Sequence, residues 1–382
     1  MRVLKNRIEQ HLGQKPGKDD AQIYLKSFVI ILWMLASFIS IFLFENNFIK
    51  LFACISYGIS NAGLGFNLFH DAIHGSLSSS KKVNHFFSFL TCALLGPGHY
   101  FWRHKHNYLH HQYPNIKQWD DDLETREGLR LSPHQAWAPK YKFQHLYAPF
   151  IYGLTTLEWF FVKDYINYFT LNMNEWQRIP KMKLNDHLEF WFSKMIYYSL
   201  TVLLPLCFFS IGQYLVGFVL YHFCYSLTSA AIFQLAHVMQ ESDNPVVDPL
   251  SGELDRSWAL LQLTTTVNFA PHNKFVTWFA GGLNFQIEHH LFPNISHYYY
   301  PQFSAIVKRT CQEFDYPYYS IPTYWQALKN HFKTLRNLGD KKQQILHNPK
   351  RKIEGEVELH HILPHPSTGG ELHSNLDSER SS

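Results

Sequence analysis

Histidine dominates the chemistry available to this chain. Eight of its 24 histidines fall into four tight groups. His70 and His74 stand in HDAIH, and His106, His110 and His111 in HNYLHH. His237 ends FQLAH, and His289 and His290 end QIEHH. Spacings of three or four residues place side chains one turn apart on one helix face. Neutral imidazole suits iron, copper, nickel and zinc. Eight imidazoles exceed what one tetrahedral or octahedral ion needs, so the pattern predicts two metal ions. Gln286 precedes His289 by three residues, one turn away on the same helix face. An amide cannot replace imidazole as a strong nitrogen donor, but it can hydrogen-bond a metal-bound water. The other histidines, among them His85, His99, His104, His222 and His297, read as structural or solvated. His360, His361 and His365 are decoys in a polar tail.

The elements that must carry these groups are apolar. Residues 27–44, 49–69, 195–211 and 214–233 are long apolar runs in which Lys50 is the lone Lys or Arg. Each approaches the ~20 residues that a bilayer core requires. The first run is no signal peptide, because it follows a long polar stretch and lacks a cleavage pattern. Short links, Glu45 to Lys50 and Gly212 with Gln213, pair the runs into two hairpins. Arg2, Lys5, Arg7, Lys15 and Lys18 in the N-terminal arm, with Lys81, Lys82, Arg103 and Lys105 in the middle segment, place those parts in the cytoplasm. The second and fourth helices then deliver their histidines to one level, just under the cytoplasmic membrane face. Residues 86–95 and 146–162 are too short or too interrupted to span and are expected to lie on or partly in the surface. Residues 1–22 form a polar arm, 23–338 the membrane domain, and 339–382 a tail expected to be disordered.

Composition excludes several classes. Charged residues are 17% and aromatics 17%, with a net charge of +4. That charge is too small and diffuse for nucleic acid. The five cysteines, Cys54, Cys92, Cys207, Cys224 and Cys311, lack paired spacing and read as reduced, buried thiols. Asp120, Asp121, Asp122 and Glu124 read as a solvated acidic loop. Trp102, Arg103, Lys105 and Lys117 are candidate contacts for a phosphate or carboxyl head group.

HDAIH, HNYLHH and QIEHH resemble the three histidine boxes of the membrane fatty acid desaturases. The similarity extends from about Phe69 to Gln326, through FWRHKHNYLHHQYPNI, FQLAHVMQES and GGLNFQIEHHLFPNISHYYYPQ. The resemblance implies an all-α integral membrane protein. Four transmembrane helices in two hairpins would carry a cytoplasmic helical cap holding a histidine-rich di-iron site. His70, His74, His106, His110, His111, His289 and His290 match the boxes, and His237 an additional ligand position. Gln234 matches a neighbouring position that can hold a metal-bound water. Gln286 stands where many members have His. That form resembles the front-end subgroup, and the chain looks most like the unfused delta-6 acyl-lipid desaturases of cyanobacterial type. The implied reaction adds a cis double bond to an acyl chain, lipid-linked or CoA-linked, using two iron ions, O2 and two electrons. A ferredoxin or b-type cytochrome with its reductase would supply the electrons. The expected location is the bilayer, as a multi-pass protein of a bacterial inner membrane with its site facing the cytoplasm. Two other classes compete. A histidine-lined metal transporter would hold its histidines at mid-bilayer, and a di-iron membrane hydroxylase would add one oxygen instead of removing two hydrogens.

Overall fold

A computed structural model describes residues 1–13, 17–123, 128–248 and 254–342. Glu124 and the tail beyond residue 342, with His360, His361 and His365, lie outside the described residues. The fold is helical. The helices are α1 (Arg2–Leu12), α2 (Ala21–Leu43), α3 (Asn47–Leu64), α4 (Lys81–Leu95), α5 (His99–Arg103) and α6 (Gln144–Glu158). They continue with α7 (Leu184–Tyr198), α8 (Ile211–His237), α9 (Trp258–Thr265), α10 (Gln286–Leu291), α11 (Tyr300–Glu313) and α12 (Tyr324–Leu338). A two-residue parallel ladder, Asn268–Phe269 against Ser320–Ile321, ties the segment after α9 to the start of α12.

Among the described residues, three helices are long and apolar enough to cross a membrane: Ala21–Leu43, Leu184–Phe208 and Ile211–His237. Side-chain caps set the starts of α2, α3 and α8. Asp20 accepts from the Gln22 amide, Asn46 from the Phe48 and Ile49 amides, and Ser210 forms a capping box with Gln213. The caps start α3 and α8 earlier than the apolar runs do. Lys50, Gly212 and Gln213, expected in links, therefore lie in the first helical turns. The run expected at 195–211 is also longer and begins at Leu184. Its early turns tolerate charge because Lys194 is buried against Asp164 at 2.7 Å and donates to the carbonyls of Gly96 and Phe160.

Helix α3 is covered by α2 and α8. The approach to α8 depends on Gly58, whose added Cβ would stand 2.5 Å from the Tyr221 carbonyl oxygen. The expected weak segments are the amphipathic helices α4 and α6. Phe86, Leu146, Phe150 and Leu154 are exposed on them. Helix α1 is no loose arm, because Leu4 and Ile8 are buried in a cluster with Phe303, Val307 and Cys311 of α11. All five cysteines are free, but Cys207 is exposed and Cys224 half-buried, so the expectation of uniformly buried thiols fails there. Cys207 lies in the last turn before Phe209, where the chain turns towards α8.

Among the described residues, four segments wind as π-helix: Gly65–Phe69, His104–His110, Trp159–Lys163 and Ser199–Leu203. Such turns are rare and concentrate at functional sites. The first carries α3 onward into His70–Ile73.

Candidate metal centre

Each group of histidines arrives on its own element. His70 and His74 come directly after the π-turn of α3, with ring centroids 4.7 Å apart. The second group sits on and just beyond the π-segment after α5. There the His111 amide donates to the His106 carbonyl, five residues back, at 3.0 Å. The wider winding stacks His106 on His110 at 5.3 Å and also brings His111 beside His106 at 4.7 Å. His237 ends α8, and His289 and His290 sit on α10. The segment before α10 passes under the first π-turn. Gly281 allows this: its φ is 59°, and an added Cβ would stand 2.2 Å from the Phe66 carbonyl oxygen.

All eight rings converge in two sets. Ligand atoms of His70, His74, His106 and His289 lie within 4.8 Å of one another. Those of His110, His237 and His290 do the same, and His111 lies equally close to His289 and His290, between the sets. His70 Nε2 is 3.1 Å from His106 Nε2. Nε2 of His74, His289 and His290 and both ring nitrogens of His111 are buried without a hydrogen-bond partner. Buried polar atoms rarely stay unsatisfied. A set of convergent imidazole lone pairs is what a cation would satisfy, so these residues fit a metal.

The far sides of the rings are held. Asp120 accepts from His110 Nδ1 at 3.1 Å, Tyr300 OH pairs with His289 Nδ1 at 3.1 Å, and Gln262 Oε1 accepts from His290 Nδ1 at 2.7 Å. The Thr265 carbonyl accepts from His237 Nδ1 at 3.3 Å. Such partners fix the tautomer and aim the opposite nitrogen. Asn115, at φ 59°, donates its amide to the His237 carbonyl at 3.0 Å and its backbone N–H to Asp120 at 2.8 Å. Asp71 accepts from Ser296 Oγ at 2.6 Å and stands 2.9 Å from His297 Nδ1, which locks the first histidine group to the last. Gln286 Nε2 lies 2.9 Å from His237 Nε2, and the amide oxygens of Gln286 and Gln234 are buried and unpartnered.

Electrostatics keep the cluster neutral. Burial pushes His74, His106, His111, His289 and His290 well below the ordinary imidazole range, and neighbouring rings add to it. Neutral rings keep their lone pairs for a metal. His110 differs. Burial lowers it too, but Asp120 and Asp122 outweigh burial and raise it. Glu288, between the sets in sequence, faces away to Asn268 and Tyr318, and burial pushes it up to about 7.

The acidic cluster is not the solvated loop expected. Asp120 and Asp121 are buried, since one braces His110 and the other pairs with Lys163 at 2.6 Å. Asp122 pairs with Lys105 at 2.5 Å. Burial opposes charge on Lys105, yet Asp122 and Asp121 together raise its pKa. Sequence reasoning misses the bracing roles of Asp120, Asp71, Gln262 and Tyr300. One signal exists: an Asp stands ten residues after His110, and another sits inside HDAIH. His85, His99 and Glu189 form a further group, with Glu189 bridging the rings at 2.8 and 3.2 Å, away from the eight.

A cavity of about 400 Å³ opens onto the cluster between α3, α6 and α8. His70, His106, His110 and His237 line its metal end, and Lys105, Asp121 and Lys163 a polar rim. Ala62, Phe66, Trp102, Tyr225 and Phe233 are among its other lining residues, with Thr155, Thr156 and Glu158 adding polar groups. Arg103 and Lys117, the other candidate head-group contacts, do not line it. Lys117 instead donates to the His134 carbonyl.

Residues 46–322 match the family model described as fatty acid desaturase. The chain is 34% identical over 344 residues to an sn-1 linoleoyl-lipid 6-desaturase of Synechocystis sp., spanning 88% of this chain and 95% of that protein. It is 30% identical over 339 residues to an sn-1 linoleoyl-lipid 6-desaturase of Arthrospira platensis, spanning 88% and 91%. It is 32% identical over 346 residues to an acyl-lipid (8-3)-desaturase of Physcomitrium patens, spanning 88% and 71%. With eight imidazoles gathered beside a cavity inside the matched segment, the chain belongs to the fatty acid desaturase family, and its activity is that of an oxidoreductase.

Proposed function

We propose that this desaturase is a front-end enzyme. It adds a cis double bond on the carboxyl side of existing ones in an unsaturated C18 acyl lipid, at the delta-6 position. The observation that carries this reading is the convergence of two sets of histidines at one end of a cavity whose wall includes Phe66, Phe69 and Phe233. The names of the cyanobacterial relatives support the position of the bond.

His70, His74, His106 and His289 would hold one iron, His110, His237 and His290 the second, and His111 lies between them. Iron with O2 and two electrons supplies the oxidising power that removes hydrogen from an unactivated methylene, a task beyond side-chain acid–base chemistry. The chain's own residues do the rest. Phe66, Phe69, Trp102 and Phe233 give the acyl chain an apolar wall and keep water off the cluster. The fixed walls choose which methylene lies against the metal end. Gln234 and Gln286 present amide groups to that pocket and can hold a water there. Lys105 and Lys163 place N–H donors at the polar rim, where an ester carbonyl can rest.

In this reading α2, α3, the helix Leu184–Phe208 and α8 all cross a bacterial inner membrane. The cluster then lies on the cytoplasmic side. Electrons come from a separate ferredoxin or b-type cytochrome, so purified protein with substrate and O2 stays inactive until donor and reductase are added. Expression in a host fed linoleate, with mass spectrometry of the derivatised fatty acids, tests the assignment. The expected product has lost two hydrogens and carries its new bond on the carboxyl side. A bond on the methyl side, or a product heavier by one oxygen, overturns it.

A further inference from the structure

A second cavity, of about 330 Å³, lies at the opposite end of the helices from the histidines. It is framed by Phe42 of α2, Lys50 and Cys54 of α3, Pro205, and Gly217 and Tyr221 of α8. Tyr221 precedes His237 by 16 residues on one helix, or about 24 Å at 1.5 Å per residue.

Local winding explains the opening. The π-turn Ser199–Leu203 and Pro205 interrupt the α-helical run of the third long helix. Its end rests on ring contacts of Phe42 with Phe208 and Phe209, at 5.4 and 5.5 Å. Across the gap, α8 presents glycine. A Cβ at Gly212 would meet nothing within 4 Å, and one at Gly217 only Cys54 Sγ at 3.4 Å. The floor is closed. Tyr57 stacks on Tyr221 at 4.8 Å, and Asn61 donates to the Tyr221 hydroxyl at 2.8 Å. This septum separates the crevice from the cavity at the metal end, so an acyl substrate lying there does not reach it.

We infer that the crevice binds one acyl chain of an anionic bilayer lipid, with Lys50 facing its head group. The inference rests on the four-span reading above. At bilayer depth an apolar gap has no water to fill it, and hydrocarbon is the solvent at hand. The volume is within the range of small-molecule pockets. Lys50 sets the charge. Its ammonium lies 5.0 Å from the centre of the Phe209 ring. Among the described residues, no carboxylate lies within ion-pairing distance of it. A lone cation at a membrane surface attracts anionic head groups.

The test uses the full-length, metal-loaded enzyme, delipidated in detergent and offered dioleoylphosphatidylglycerol or dioleoylphosphatidylcholine. Native mass spectrometry is expected to find one retained lipid, with phosphatidylglycerol preferred about fivefold, the weight of about one basic residue. Lys50→Gln should erase the preference. Gly217→Phe should fill the crevice and release both lipids while C18 desaturation is unchanged. Gly212→Leu is the second blocking variant if Gly217→Phe does not fold. Wild-type enzyme retaining neither lipid, equal retention in wild type and blocked variants, or retention of the C18 substrate in their place overturns the inference. Desaturation by the wild type, measured in the same preparations, reports separately on the proposed function.

Discussion

The carboxylate of Asp120 stands 3.1 Å from Nδ1 of His110 and accepts its hydrogen bond, so that Nε2 of the same ring is left to face the cluster. One oxygen of Asp120 also accepts the Asn115 amide at 2.8 Å. The loop, the ring and the end of α8 are thus tied through one buried acid.

Removing that acid's charge should loosen the ring without removing it. Asp120→Asn is expected to cost about 10- to 100-fold in metal affinity or activity, as changes to groups behind metal-bound histidines do. Iron content after dialysis, measured beside turnover, checks this. Undiminished iron and turnover would take Asp120 out of the site.

The eight histidines should act as a unit. Ala at His70, His110, His237 or His290 is expected to abolish desaturation and lower bound iron from two per chain. Ala at His85, away from the cluster, should leave both unchanged. Full activity in His237→Ala would strike that residue from the ligands.

The septum between the cavities should set how long a chain the metal-end cavity admits. Tyr221→Ala removes the stacked ring and joins the two spaces. The ratio of C20 to C18 products in a host fed both is expected to rise about tenfold, the scale of discrimination per methylene in an apolar pocket. An unchanged ratio in a folded, active variant counts against a limit at Tyr221.

Acid should weaken the packing of α12 against α6 and the end of α8 through His331. Its Nδ1 donates to the Val238 carbonyl at 2.9 Å, and its Nε2 accepts from Tyr152 OH at 3.1 Å. Burial lowers its pKa to about 4. The unfolded chain takes up the proton first, so the stability is whole above pH ~6.5 and drains away as pH falls towards 4. The full loss is roughly 3 kcal/mol. Thermal melts of wild type and His331→Gln from pH 8 to 4 check this. The variant should be less stable at pH 8 and show a shallower decline, and parallel curves would dismiss His331.

Topology can be read by chemistry. Cysteines placed at Asn47 and Gln213 should react with an impermeant label from outside the cell. A cysteine at Lys142 should react only after the membrane is opened. Labelling at Lys142 in intact cells would overturn the four-span arrangement.

Much of the site is legible in the chain because helical spacing is a local property. His70 with His74, and Gln286 with His289, need only one turn to share a face. The level of His237 comes from counting along α8. The division of the second group is not legible. His111 lies between the two sets because the backbone winds to a five-residue repeat there, and no residue type announces that. Asp120 and Asp121 look like a solvated loop until Lys105, Lys163 and His110 arrive from elsewhere to pair with them. Lys50 reads as part of a link for a similar reason: Asn46 caps the helix before the apolar run begins.

The segment His104–His110 works as a vernier. One extra residue per turn shifts the angular phase of the residues beyond it, and both sets of rings depend on that phase. Substitutions on its outer face, such as at Tyr108, leave the phase alone. Inserting one residue beside Tyr108, where the winding is already wide, would swing His110 and His111 by about 100°. The chain would keep every histidine and still lose the junction between the two sets. Single-residue insertions are therefore less tolerable there than wholesale changes of side chain, and an insertion scan beside a substitution scan would chart that asymmetry.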